Sequence, residues 1–133
     1  MKLLKRSQIM AVLALGIALS GFTCSQAPEV IARDAIVGAK AALDTEKGKH
    51  PECATPAAKS TTVCSLLSKA TGAKDVSIDA LEAYCSGPSF DTGGACNPPA
   101  KGTPAATQAL NKLSAAISNM NQTVADAKKA GGN

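Results

Sequence analysis

Apolar residues recur along this chain at helical spacing, and the pattern predicts four helices. The first is expected from about Pro28 to Lys47. Its stripe is Ala32, Ile36, Ala39 and Leu43, flanked by Val30 and Val37, and Lys47-Gly48-Lys49-His50-Pro51 ends it. The second is expected to open with Thr55 as N-cap and Pro56 in the first turn. It carries Val63, Leu66, Leu67 and Ala70 on one face and stops at Gly72. A short third helix is expected over Ser77 to Ser86, with Ile78, Leu81 and Cys85 on one side and Gly87-Pro88 closing it. The fourth opens with Thr103 as N-cap and Pro104 behind it, and runs to about Lys129.

The fourth segment is the most regular. Leu110, Ile117 and Val124 alternate with Ala106, Leu113, Met120 and Ala127 at spacings of four and three, a heptad seam. The flanking columns lack the paired charges that select a coiled-coil partner. Two readings stay open: a long helix packed inside its own bundle, or a stripe that meets a partner. Between the third and fourth helices, residues 87–103 form a loop rich in Gly and Pro. It is long for a small domain, so it is either tied down or functional. Phe90 and Asp91 are its candidate interaction residues.

The beginning of the chain follows another pattern. Lys2, Lys5 and Arg6 precede an uncharged apolar run, Ile9 to Leu19, and then the small residues Ser20, Gly21, Thr23 and Ser25. A charged start, a short apolar run and a small-residue cleavage region mark a bacterial-type export signal. The run falls well short of the about 20 residues that a stable membrane span requires. Residues 1–25 are therefore read as a signal peptide and residues 26–133 as a single small domain. Cys24 stands where a lipoprotein carries its lipidated cysteine. Gly21, Phe22 and Thr23 before it match a lipobox poorly, and the small residues at Ala18-Leu19-Ser20 or Thr23-Cys24-Ser25 suit ordinary cleavage, so Cys24 is either lipidated or removed.

Composition sharpens this picture. The formal charge of +4 includes three positive residues of the signal, which leaves 11 of the 14 Lys and Arg against 10 Asp and Glu. A near-neutral domain gives no basic surface for nucleic acid. From Cys24 onward, 16 residues are Leu, Ile, Val or Phe, whereas 23 are Ala. Alanine favours helix but buries little area, so the core is thin and cross-links would have to support it.

The cysteines offer that support. Cys53, Cys64, Cys85 and Cys96 form two Cys-x10-Cys motifs, and an exported chain pairs its cysteines. Four cysteines allow three pairings. Equal index sums favour the nested pairs Cys64–Cys85 and Cys53–Cys96, across a hairpin turning near Gly72 to Ser77; local pairing is the alternative. The spacing is one residue longer than in helical hairpins stapled by twin Cys-x9-Cys motifs, a likeness of geometry only.

Catalytic chemistry is not indicated. His50 is the only histidine, in a Gly- and Pro-flanked turn, which leaves a serine nucleophile without a convincing base. His50 and Cys53 are three apart, but disulfides account for the cysteine, so no metal site and no cofactor are expected. Aromatic residues make up 2% of the chain and Trp is absent, so stacking platforms are missing. The expectation is an all-α, disulfide-stapled helical protein in the periplasm, in the cell envelope or secreted. It would be non-enzymatic, with a structural or protein-interaction role and a protein partner not identified by the sequence. The alternative is a secreted binding module or inhibitor acting through residues 87–103. Membrane attachment enters only through a lipid on Cys24.

Overall fold

A computed structural model describes residues 27–55, 61–88, 90–91 and 94–131. The expected export signal and Cys24 lie outside the described residues. The described residues are all-helical: α1 (Pro28–Lys49), a 3-10 turn η1 (Pro51–Ala54), α2 (Thr62–Cys85) and α3 (Pro104–Ala130). α2 and α3 share the most extensive contact, and α1 packs on both. Glu29 at the start of α1 lies near Tyr84 at the end of α2. At the opposite end, Glu46 and His50 meet Gly131, just past α3. The helices therefore run up, down and up.

Among the described residues three α-helices stand where the sequence pattern predicts four. The expected second and third helices are one continuous helix, and there is no hairpin turn near Gly72 to Ser77. The reason lies in the buried face of α2. Leu67, Ala70, Ala73, Ser77, Leu81 and Tyr84 are all buried, at spacings of three and four that pass straight through Gly72. A mid-helix glycine costs about 1 kcal/mol against alanine, less than this face gains by packing on α3. Gly72 is exposed, and a Cβ there would meet nothing within 4 Å. Gly72→Ala should therefore stabilise the fold by about 0.5–1 kcal/mol. Urea denaturation checks this; a loss of stability would mean that α2 is kinked at this point.

The start of α2 also differs from expectation. Thr61, not Thr55, is its N-cap, and its side chain accepts from the Cys64 amide at 3.4 Å. Thr55 instead closes η1, its hydroxyl donating to the Glu52 carbonyl at 2.8 Å. Pro56 lies outside the described residues. α1 and α3 match the expected helices within two residues at each end. The Thr103 hydroxyl accepts from the Ala106 amide at 3.2 Å, which fixes the start of α3.

The core is built from few large side chains. Ile36 and Leu43 of α1, Leu67 and Leu81 of α2, and Leu113, Ile117 and Met120 of α3 are its centre. Most of the seam of α3 is buried, from Leu113 to Ala127, while Ala106 and Leu110 are half-buried. The stripe thus packs inside its own bundle. Alanines at 32, 39, 70, 73 and 127 let the helices approach closely. Ser77 serves the same contact. Fully buried, its hydroxyl lies 2.9 Å from the Ala73 carbonyl and 3.0 Å from that of Ala116 on α3. A hydroxyl has one proton, so the two carbonyls share it.

Candidate functional site

Both ends of α2 are joined covalently to the segments beside them. At its start, Cys64 is buried and bonded to Cys53 of η1, with the Cα atoms 5.1 Å apart. At its end, Cys85 is buried and bonded to Cys96, with the Cα atoms 4.3 Å apart. The pairing is therefore local, and the nested pairs Cys64–Cys85 and Cys53–Cys96 are not formed. The physical reason is the continuity of α2. Cys64 and Cys85 stand 21 residues apart on one helix, about 30 Å at 1.5 Å per residue. A disulfide bridges Cα atoms only within about 7 Å.

The C-terminal staple organises the start of the long loop. Ser86 adopts the left-handed conformation at φ 60°. The Gly87 amide then reaches back to the Glu82 carbonyl at 3.0 Å, and that of Ser86 to Ala83 at 3.4 Å. This is a Schellman ending. Beside it, the Asn97 amide donates to the Cys85 carbonyl and the Ser86 hydroxyl donates to the Asn97 carbonyl, both at 3.0 Å. One disulfide and two hydrogen bonds therefore hold Cys96 and Asn97 against the helix end. Phe90 is half-buried and packs on the core rather than standing outward, whereas Asp91 is exposed. At the far side of the loop, the Thr103 hydroxyl donates to the Ala100 carbonyl at 2.7 Å.

The N-terminal staple borders a cleft of about 800 Å³ between the end of α1, η1 and the first half of α2. His50, Lys47, Lys69 and Asp75 supply its ionisable groups, and Ser65 and Ser68 line the α2 side. His50 Nδ1 is 3.0 Å from Glu52 Oε1, so the imidazole is oriented by a carboxylate rather than by either serine. The Glu52 backbone amide and the His50 ring hold the Glu52 carboxyl below its usual range. At the other end of the bundle, burial pushes the Tyr84 phenol up, and the charge of Glu29 adds to the effect.

One charged residue of consequence escaped the sequence pattern. Glu46 is 3% exposed. It continues the buried stripe of α1, three residues after Leu43 in the series Ala32, Ile36, Ala39, Leu43. The spacing could have revealed it, but a carboxylate does not read as a core position. Lys49 Nζ contacts its Oε1 at 3.1 Å, while its Oε2 is buried without a hydrogen-bond partner. Among the described residues no helix is long and apolar enough to cross a membrane. Comparison with protein-family models, with curated proteins and with solved structures finds no match to this chain.

Proposed function

We propose that this chain is a non-enzymatic exported protein with a structural or protein-interaction role in the periplasm, the cell envelope or the extracellular medium. The observation that carries the reading is the double staple on α2. Two disulfides fit a non-reducing compartment, and residues 1–25 have the pattern of a signal that would deliver the chain there. A thin, alanine-rich core with both ends of its central helix locked suits a small rigid scaffold. The exposed Val30 and Val37, two turns apart on α1, are apolar contacts available to a protein partner.

A second reading has its own support. The Gly/Pro-rich loop is clamped at Cys96 and Asn97 against the end of α2, so the segment that begins at Gly87 is tied at both ends. Such an arrangement suits a binding module or inhibitor. Asp91 would meet the partner, and Phe90 would brace the loop from beneath.

Expression with the native leader, followed by in-cell cross-linking, tests both readings. Capture of an envelope partner that survives deletion of residues 88–94 and is lost in Val37→Asp supports the helical surface. Loss on loop deletion alone supports the second reading. Intact mass of the same material should show removal of the first 20 to 25 residues, with a discrete lipid mass if Cys24 is modified. A product beginning at Met1 or Lys2 would overturn export.

A further inference from the structure

The two staples of α2 sit at opposite poles of one helix, and their chemistry differs for that reason. Cys64 is the third residue of α2, and Cys85 is the last. A helix start carries partial positive charge and a helix end partial negative charge, each felt within the terminal turn. A thiolate is therefore stabilised on Cys64 and disfavoured on Cys85. Charged side chains act in the same direction. Lys47, Lys69 and His50 line the cleft beside Cys64, and Asp75 is the one carboxylate among its lining residues. Glu82 stands three residues before Cys85, one helical turn away.

Access and support differ too. Cys53 and Cys64 both border the cleft of about 800 Å³. Cys53 is half-buried and Cys64 is buried, so Cys53 is the sulfur open to attack. η1 packs on α1 and makes little contact with α2 apart from this bridge. No residue of η1 is fully buried, so the core does not depend on its position. Cys96 is held differently. The Asn97 amide on the Cys85 carbonyl and the Ser86 hydroxyl on the Asn97 carbonyl, both at 3.0 Å, fix it against the helix end. Were the Cys85–Cys96 bond to open, these bonds would keep its two sulfurs close together and favour reclosure.

We propose that Cys53–Cys64 is an exchangeable disulfide, opened by an external dithiol, whereas Cys85–Cys96 is a permanent staple. One thiolate of the dithiol attacks Cys53 Sγ. A mixed disulfide forms, the Cys53–Cys64 bond breaks, and its electron pair leaves on Cys64 Sγ. A leaving thiolate departs faster the more it is stabilised, which is the contribution of the helix start and the cleft cations. The second thiolate of the dithiol then attacks its own sulfur in the mixed disulfide and releases Cys53. The dithiol loses two electrons and becomes a disulfide, and its two protons pass to Cys53 and Cys64. The result is a helical core still closed at Cys85–Cys96, with η1 freed from α2 and the cleft open.

The test uses the mature chain with both disulfides formed, treated with dithiothreitol and quenched at intervals with N-ethylmaleimide. Peptide mapping locates the labelled cysteines. Cys53 and Cys64 should be labelled at least about tenfold faster than Cys85 and Cys96, at a rate proportional to the dithiothreitol concentration. Helicity by circular dichroism should persist while only the first bridge is open. With glutathione in place of dithiothreitol, the mixed disulfide should sit on Cys53 and the label on Cys64. Lys69→Glu, an exposed change on the cleft wall, should slow opening of the first bridge about threefold and leave the second unchanged. Equal rates at the two bridges, or faster opening of Cys85–Cys96, would overturn the proposal. A rate independent of thiol concentration would do so as well, because the bridge would then open only through unfolding. Glutathione found on Cys64 would refute Cys53 as the attacked sulfur.

Discussion

Replacing both disulfides with serine pairs should leave a chain that no longer folds stably, though its alanine-rich segments keep some helicity. Each bridge spans a sequence separation of 11. Closing a loop of that size stabilises by about 3 kcal/mol in the chain-entropy model. Each double variant, Cys53→Ser with Cys64→Ser or Cys85→Ser with Cys96→Ser, should thus lose about that much on its own. A small domain has only about 5–15 kcal/mol in total, and this one has few large core side chains to spare. Urea titration of the single-bridge and bridge-free variants measures the loss. A bridge-free variant with wild-type stability would show that helix packing alone is sufficient. Non-reduced tryptic mapping checks the pairing independently. Local pairing joins the peptide of residues 50–59 to that of 60–69 and leaves residues 75–101 closed on themselves, because no Lys or Arg lies between Cys85 and Cys96. Nested pairing would link all three peptides and would require α2 to break.

Ile117→Asp should be as damaging, by another mechanism. Ile117 is 3% exposed at the middle of α3, within the core that all three helices share. An aspartate there either buries an unpaired carboxylate or opens the bundle around it, at a cost above about 4 kcal/mol. Ile117→Val removes one methylene and should cost only about 0.5–1.5 kcal/mol. Val37→Asp, on the exposed side of α1, should fall within about 0.5 kcal/mol of wild type. Thermal melts of the three variants separate these outcomes. An Ile117→Asp protein that keeps its melting temperature and loses only an oligomer would return the seam of α3 to a partner-binding role.

The α3 helix was fully legible as sequence. Thr103 and Pro104 start it, the four-three seam fixes its buried face, and Lys128 and Lys129 mark its end, all signals contained within one helix. The stripe of α1 was legible for the same reason, up to Leu43. Of the candidate site residues, the four bridging cysteines were evident from composition, but their partners were not. That choice followed from Gly72. Judged locally, glycine followed by the polar Lys74 and Asp75 reads as a stop, and a stop makes the hairpin and the nested bridges natural. In the folded chain, the residues on either side of Gly72 bury one continuous face against α3, and Ser77 faces the Ala116 carbonyl instead of opening a helix. Glu46 and His50 tell the same story. Four residues apart in sequence, both lie against Gly131, which only the packing of α3 brings beside them. Sequence periodicity determined which segments are helical and which faces are apolar. Only packing between helices decided where a helix continues, which cysteines can meet and which polar atoms are left facing each other, because those depend on what a distant segment contributes to the same few ångströms.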